Sequence, residues 1–352
     1  MAMIKSKYAY LEQAHVAKVG EREFSDELGP HEVLVRALGN NLCTTDYQQW
    51  MGLREHQGYP MAGGHEGESV VVAMGSEVKG FEVGDKVAFG YEYCGRCENC
   101  RKGLTFACTN QPHKTRDENG VLGTYGMGEF RIVNDLAMYK MNPDLSAAEA
   151  GFLEPVGTVC SGIKALRVAP HEDVLVIGAG TMGLVNAQVA RAFGARVIVS
   201  ELMEKKLAAA KTSGFEVIDS ANEDVVARVK ELTNGKGVDA VILAVSNKVV
   251  IDQSFQLIKE IGGRVLFFAA GYPAPETTLN ANMIHYRRIE LIGTMGGNAE
   301  DFATAAMLLN TRAIDVRPMC EPETFQLDQI QEAFEAASTP GMYRVHVEIT
   351  KE

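Results

Sequence analysis

Four of the seven cysteines fall within fifteen residues, as Cys94-x2-Cys97-x2-Cys100-x7-Cys108. Thiolates at this density suit a tetrahedral metal, with zinc–sulfur bonds of about 2.3 Å. Iron–sulfur chemistry is the rival, but no proline follows Cys108 and no second cysteine set exists, so zinc is the expectation. Four protein ligands leave no open coordination position. The metal would therefore be structural, stapling a loop too short to bury a core of its own. An odd, clustered cysteine count argues against disulfides and for a reducing compartment. Lys5 and Lys7 are followed by no apolar core, so no signal peptide is read and a cytoplasmic location is expected.

A second constellation is glycine-based. Gly178-Ala179-Gly180-Thr181-Met182-Gly183 follows the apolar run Val174–Ile177 and opens a helix pattern, which is the context that gives G-x-G-x-x-G its meaning. Gly178 permits a tight turn, Gly180 has no Cβ to block a pyrophosphate, and Gly183 lets helix and strand pack closely. The helix N-terminus then offers free N–H groups to the phosphates. Glu201, eighteen residues beyond Gly183, ends the next apolar run. A carboxylate there can accept from both ribose hydroxyls and repels a 2′-phosphate, which favours NAD. Lys205 and Lys206 follow closely, so NADP or dual use stays open, with Lys206 a further cofactor contact.

Cys43, His65 and Glu154 are individually bland: a core thiol, a structurally satisfied imidazole and a surface carboxylate would account for them one by one. They are also the residue types that hold a catalytic metal with one position open. Sequence spacing alone does not bring them together.

Positioning these residues takes two kinds of architecture. The first 150 residues read as an irregular all-β region, with brief strands at Glu32–Ala37, Ser69–Ala73 and Lys86–Phe89 between glycine turns. From about Ala147 to Leu291, apolar runs (Val174–Ile177, Arg196–Ser200, Glu216–Asp219, Val238–Val245, Arg264–Phe268) alternate with helix patterns (Leu184–Phe193, Glu204–Thr212, Glu223–Leu232, Val249–Ile261). That alternation means βαβ units and a doubly wound parallel sheet. Two helix patterns, Glu300–Leu309 and Leu327–Ala337, and a closing strand, Arg344–Thr350, most simply return the chain to the first domain. The fold class is α/β: a β-rich domain, 1–153, with a cysteine lobe near 91–110; a Rossmann domain, 154–294; and a return segment, 295–352. The 352 residues are 46% hydrophobic and carry a net charge of −12. That charge repels phosphate backbones, so no nucleic-acid partner is expected. The uncharged stretch from Val174 to Ala190 is too short and polar to span a bilayer, so no membrane role is expected either.

Taken together, Cys43-Thr44-Thr45-Asp46, Gly64-His65-Glu66, the Cys94/97/100/108 lobe, Leu153-Glu154-Pro155, Gly178–Gly183 and Glu201 resemble the zinc-containing medium-chain alcohol dehydrogenases, in the polyol (sorbitol) and threonine dehydrogenase branch. The motifs occur in that family's order over nearly the whole chain. Asn280–Arg287 and Leu291–Thr294 are also similar to that branch. The resemblance implies a GroES-like first domain, NAD and two zinc ions per chain, one structural and one catalytic on Cys43, His65 and Glu154. It implies Glu66 as a carboxylate able to approach or exchange with the metal, and Asp46 as a hydrogen-bond partner that fixes the His65 tautomer. Thr45 would place its hydroxyl against the substrate oxygen, and Thr158 would touch the nicotinamide. It further implies a homo-oligomer, dimer or tetramer with the tetramer favoured, built by extending the Rossmann sheet near Arg288–Thr294.

The chemistry so implied is oxidation of a secondary alcohol to a ketone. Zinc lowers the pKa of a bound hydroxyl, as it lowers that of water from about 15.7 to about 7, and the alkoxide expels hydride to nicotinamide C4. A polyol, sugar alcohol or related sugar derivative is the expected substrate. L-Threonine 3-dehydrogenase-like or polyol-phosphate activity and a catalytically silent NAD-binding protein are the alternatives. One departure stands out: Gln48 occupies the position where family members often carry the histidine that ends a proton relay, and glutamine cannot take up a proton. His56 is a nearby substitute by sequence only. Trp50 could wall the pocket or pack in the core, and His285 and Tyr286 could reach the cofactor.

Overall fold

The computed structural model describes residues 2–54, 58–111 and 115–351. The chain forms two compact units, Met1–Gly157 with Gly297–Glu352, and Thr158–Gly296. These divisions fall a few residues beyond the expected 153/154 and 294/295. The helix Leu153–Leu166 runs unbroken through the first crossing, so no turn marks the boundary. Pro155 is tolerated because it lies in the first turn, where its missing N–H has no helical partner to lose.

In the first unit the strand Glu32–Leu42 organises one sheet. It pairs antiparallel with Glu66–Met74 on one side and with Arg344–Glu348 on the other, where Val345 faces Leu42 and His346 faces Asn41. Lys86–Phe89 and Met138–Lys140 extend that sheet. Val33, Val35, Val71, Val87 and Phe89 form a core against it, and the alternation of β-branched residues along these strands is what produced the brief runs visible in sequence. The closing strand does return to this unit. Two long strands were not anticipated, Met3–Gln13 and Val16–Ser25. They form a hairpin whose outer face carries charge pairs such as Lys5–Glu23 at 3.2 Å, so no apolar run announces it.

The second unit is a six-stranded parallel sheet in the order Glu216–Asp219, Arg196–Glu201, Asp173–Ile177, Ala240–Leu243, Arg264–Phe267, Glu290–Gly293. This is the 3-2-1-4-5-6 order of the dinucleotide-binding folds. Its four central strands are buried on both faces, which explains their near-continuous Val, Ile and Leu runs. The helices Thr181–Ala192, Glu204–Thr212, Val225–Leu232 and Lys248–Leu257 lie close to the expected patterns; the last stops at Leu257 rather than Ile261 because the backbone turns extended at Ile258.

Candidate active site

Cys43 caps the short helix Thr44–Trp50, which lay unread inside a region expected to be all β. The backbone N–H of Thr45 donates to Cys43 Sγ (3.1 Å), and Asp46 Oδ2 accepts from the Cys43 N–H (3.0 Å). This is a capping box with cysteine in the place of serine. It aims Sγ at the residue after the turn Gly63–Gly64, and His65 Nε2 lies 3.1 Å from Cys43 Sγ. Gly64 is required there: its φ is +93° and a Cβ would sit 2.7 Å from the Met127 amide nitrogen.

Two overlapping sets of donors meet at His65. Cys43, Asp46 and His65 each offer an atom within 4.8 Å of the others, and so do His65, Glu66 and Glu154. The three proposed catalytic ligands thus converge from distant segments, with His65 common to both sets. Asp46 lies beside His65 but makes no direct hydrogen bond to it. Its Oδ1 lies 3.7 Å from His65 Nδ1, an ion-pair separation and too long for a hydrogen bond, because the carboxylate is held by the helix cap.

The electrostatics favour a cation. Burial pushes the Cys43 thiol up, with the Asp46 and Glu66 carboxylates adding to it against His65. Burial alone would lower His65, but the thiol and the carboxylates of Asp46 and Glu154 outweigh it and hold the imidazole well above its usual range. A buried thiol, a partly buried imidazole and the three carboxylates of Asp46, Glu66 and Glu154 concentrate negative charge that a proton or a divalent ion must balance, so this donor set fits zinc. Glu66 is fully enclosed and takes both donors of a guanidinium, Arg344 Nε at 2.6 Å and Nη2 at 2.7 Å. Its carboxyl is nonetheless pushed up to about 7, chiefly by burial. Arg344 was invisible to motif reading, because it lies on the closing strand, 278 residues from its partner. Tyr91 was likewise missed. It donates to Glu154 Oε1 across 63 residues of sequence, and burial with the nearby carboxylate holds the phenol well above its usual pKa. No sequence signal points to either residue.

The remaining expectations divide. Thr45 Oγ1 accepts from Arg54 Nη1 at 3.1 Å, which places Arg54 beside the donors. Trp50 belongs to the core, stacked on Phe334 at 6.1 Å and edge-on to His15. His56 lies outside the described residues. His285 and Tyr286 are exposed on the helix Ala281–Arg287 and touch each other edge-on. Gln48 is partly buried on the helix Thr44–Trp50 and brings no titratable group.

The four-cysteine lobe closes on itself, with all four sulfurs within 4.8 Å of one another. The sulfurs of Cys97 and Cys100 are 3.4 Å apart, and no disulfide links any of the four. Backbone N–H groups point at the sulfurs, from Cys97 to Cys94 (3.3 Å) and from Cys94 to Cys108 (3.3 Å). Such donors stabilise thiolate, and the backbone N–H groups of Cys100 and Thr109 push Cys97 down to about 5. Local burial, with the neighbouring sulfurs adding to it, pushes Cys100 the other way, a conflict that a tetrahedral cation relieves.

In the second unit the glycine loop has the expected geometry. Gly178 is at φ +99°, and a Cβ on Gly183 would fall 1.9 Å from the Gly178 carbonyl oxygen. Gly180 caps the helix Thr181–Ala192, and a Cβ there would lie 3.7 Å from Lys206 Nζ, so an ammonium overhangs the turn. Thr181 is buried behind the turn, while Met182 and Thr158 are partly buried. Glu201 is more occupied than expected: it accepts from the backbone N–H groups of Ala179 (2.7 Å), Leu202 (2.8 Å) and Met203 (2.9 Å). Of a carboxylate's roughly four lone-pair directions, about one is left for a ribose hydroxyl.

A β-rich unit with two thiol-containing donor clusters, continued into a Rossmann unit with an intact glycine loop, defines a nicotinamide-dependent oxidoreductase. Residues 29–143 match the family model of the alcohol dehydrogenase GroES-like domain, and residues 181–311 match that of the zinc-binding dehydrogenases. The chain belongs to the zinc-containing medium-chain alcohol dehydrogenase family, and zinc and a nicotinamide coenzyme are its cofactors. It is 31% identical to the L-threonine 3-dehydrogenase of Pyrococcus horikoshii over 87% of this chain and 88% of that one. It is 29% identical to the 2-dehydro-3-deoxy-L-galactonate 5-dehydrogenase of Pseudoalteromonas atlantica, over 79% and 80% of the two chains. Among solved structures it resembles a protein described as a zinc-binding dehydrogenase from Sinorhizobium meliloti, bound to NADP (TM-score 0.85, 25% identity, 99% and 100% of the two chains). Among the described residues no helix is long and apolar enough to cross a membrane.

Proposed function

We propose that the protein oxidises a secondary alcohol of a polyol, sugar alcohol or related sugar derivative to the ketone. Two electrons and a proton pass as hydride to NAD, and the hydroxyl proton is released. The observation that supports this most is the convergence of buried Cys43, Glu66 and Glu154 on the partly exposed His65. Cys43, His65 and Glu154 would hold the zinc, whose Lewis acidity lowers the pKa of a hydroxyl that reaches it. Glu66 would be an exchangeable fourth carboxylate, restrained by Arg344. Asp46 would orient the cluster by fixing Cys43 and lending charge to His65. Thr45, whose oxygen is occupied by the Arg54 donor, keeps its O–H proton to offer to the substrate oxygen. Four cysteines at 94, 97, 100 and 108 would hold the second, structural zinc.

For the coenzyme, Gly178, Gly180, Thr181, Met182 and Gly183 would take the pyrophosphate with Lys206 above it, Glu201 would face the ribose, and Thr158 the nicotinamide. The Glu201 carboxylate favours NAD over NADP by repelling a 2′-phosphate. We further propose a cytoplasmic homotetramer extended through Glu290–Gly293, the edge strand of the parallel sheet.

A second reading, a substrate bearing a carboxylate or phosphate, is favoured by one observation: the Arg54 guanidinium at Thr45. Threonine, sugar acids and polyol phosphates all fit it. An NAD- and NADP-reduction screen over neutral polyols, sugar acids, polyol phosphates, threonine and small diols, on protein with two zinc per chain, separates the readings. Turnover of acids only selects the second reading, and no turnover with any alcohol overturns both.

A further inference from the structure

Tyr91 has no part in the ligand set, yet its surroundings are built as a clamp. Its hydroxyl donates to Glu154 Oε1. Its ring stands perpendicular to Phe302, with centroids 5.2 Å apart, and tilts against Phe106 at 5.7 Å. Phe302 in turn has one place to lie: a Cβ on Gly90 would come within 2.7 Å of its ring and a Cβ on Gly157 within 2.2 Å. Those two glycines flank the residues in question, Gly90 preceding Tyr91 and Gly157 standing three residues after Glu154. Phe106 lies inside the cysteine lobe, between Cys100 and Cys108. The lobe is pinned at that point from outside, where the Phe106 N–H donates to Asn298 Oδ1 (3.1 Å) and Thr105 Oγ1 accepts from the Ala299 N–H (2.8 Å).

We propose that Tyr91 is a positioning residue that holds Glu154 for the metal, seated on an aromatic platform anchored in the four-cysteine lobe. This rests on the reading of Glu154 as a zinc ligand. A carboxylate with one oxygen taken by a phenol offers the other as its ligand atom, and its rotation is restrained by the packed ring. The lobe thereby supports the catalytic cluster as well as its own fold. Buried hydrogen-bond partners of metal-ligating carboxylates contribute on this scale: their loss typically costs on the order of 10- to 100-fold in metal affinity.

The test is Tyr91→Phe, which keeps the ring and removes the hydroxyl. Zinc affinity is read by chelator competition, and ligand geometry by the visible spectrum after cobalt(II) exchange. The expected result is an affinity loss of about tenfold or more at one of two sites, with an altered cobalt spectrum and an unchanged melting temperature. In a Glu154→Ala background the same change should add nothing, because the tyrosine acts through that carboxylate. Phe106→Leu should alter the spectrum in the same direction by a smaller amount. Affinity and spectrum equal to the parent's in Tyr91→Phe overturn the proposal, and so does a loss that persists in Glu154→Ala. A parent protein that binds the second zinc but turns over no alcohol overturns the functional reading alone. One that never binds a second zinc overturns both.

Discussion

The cysteine lobe draws its four sulfurs from positions 94 to 108, stands half-exposed, and satisfies them with its own backbone N–H groups. The other cluster draws Cys43, His65 and Glu154 from three segments, buries Cys43 and Glu154 and leaves His65 partly exposed, and surrounds them with partners from further away: Tyr91 on Glu154 and Arg344 on the adjoining Glu66. Uniform local donors make a closed structural cage, since nothing in the loop competes for the sulfurs. Mixed donors gathered at distance make a cluster whose charge balance depends on the rest of the fold. The second design exposes a reactive position but inherits every burial penalty that tertiary structure imposes on acids and bases.

The sharpest way to break this contrast is Cys43→Ser. Turnover should fall by roughly 10³-fold or more, because several kcal/mol of barrier lowering depend on the metal there, whereas NAD binding measured by calorimetry stays intact. Activity close to the parent's would sink the metal mechanism. The matching change in the lobe, Cys100→Ser, should lower the zinc content from about two to about one per chain. It should raise hydrogen exchange across residues 91–110 while the Rossmann unit stays protected, because structural zinc carries folding free energy locally.

The next effect isolates the charge balance. Arg344→Met leaves Glu66 enclosed without its partner, and urea unfolding should show a loss of about 3–5 kcal/mol. Adding Glu66→Gln should restore much of it, and a purely additive double variant would mean that the pair is not coupled.

The smallest effect sits two residues further along the same strand. His346 is enclosed, with Nδ1 2.8 Å from Asn41 Oδ1, and burial pushes its pKa down to about 4. The unfolded chain takes up a proton near pH 6.5 that the native ring refuses. Its stabilising contribution is therefore full above that pH and is lost progressively as pH falls toward 4, by about 3 kcal/mol in all. His346→Gln should flatten the stability profile between those values, and an unchanged slope would assign the loss to other groups.

Legibility in the sequence followed the same division. The parallel sheet was readable because its central strands are buried on both faces and leave continuous apolar runs, such as Arg196–Ser200 within the observed Arg196–Glu201. The N-terminal hairpin was not, because its charged outer face interrupts every run. Glycine was legible where backbone geometry admits nothing else: Gly183, pressed on the Gly178 carbonyl, is the clearest case. Roles that depend on partners were only partly legible. Asp46 also caps a helix, and the Glu201 carboxylate also accepts from backbone N–H groups.

From its residues alone, the chain determined the lobe, the glycine turn and the strand–helix alternation, because each is set by chemistry within a few dozen neighbouring positions. The joining of Cys43, His65 and Glu154, the Arg344 counter-charge and the Tyr91 clamp were decided only in three dimensions. Sheet pairing and aromatic packing fix those distances, and no local pattern encodes which distant side chain will arrive.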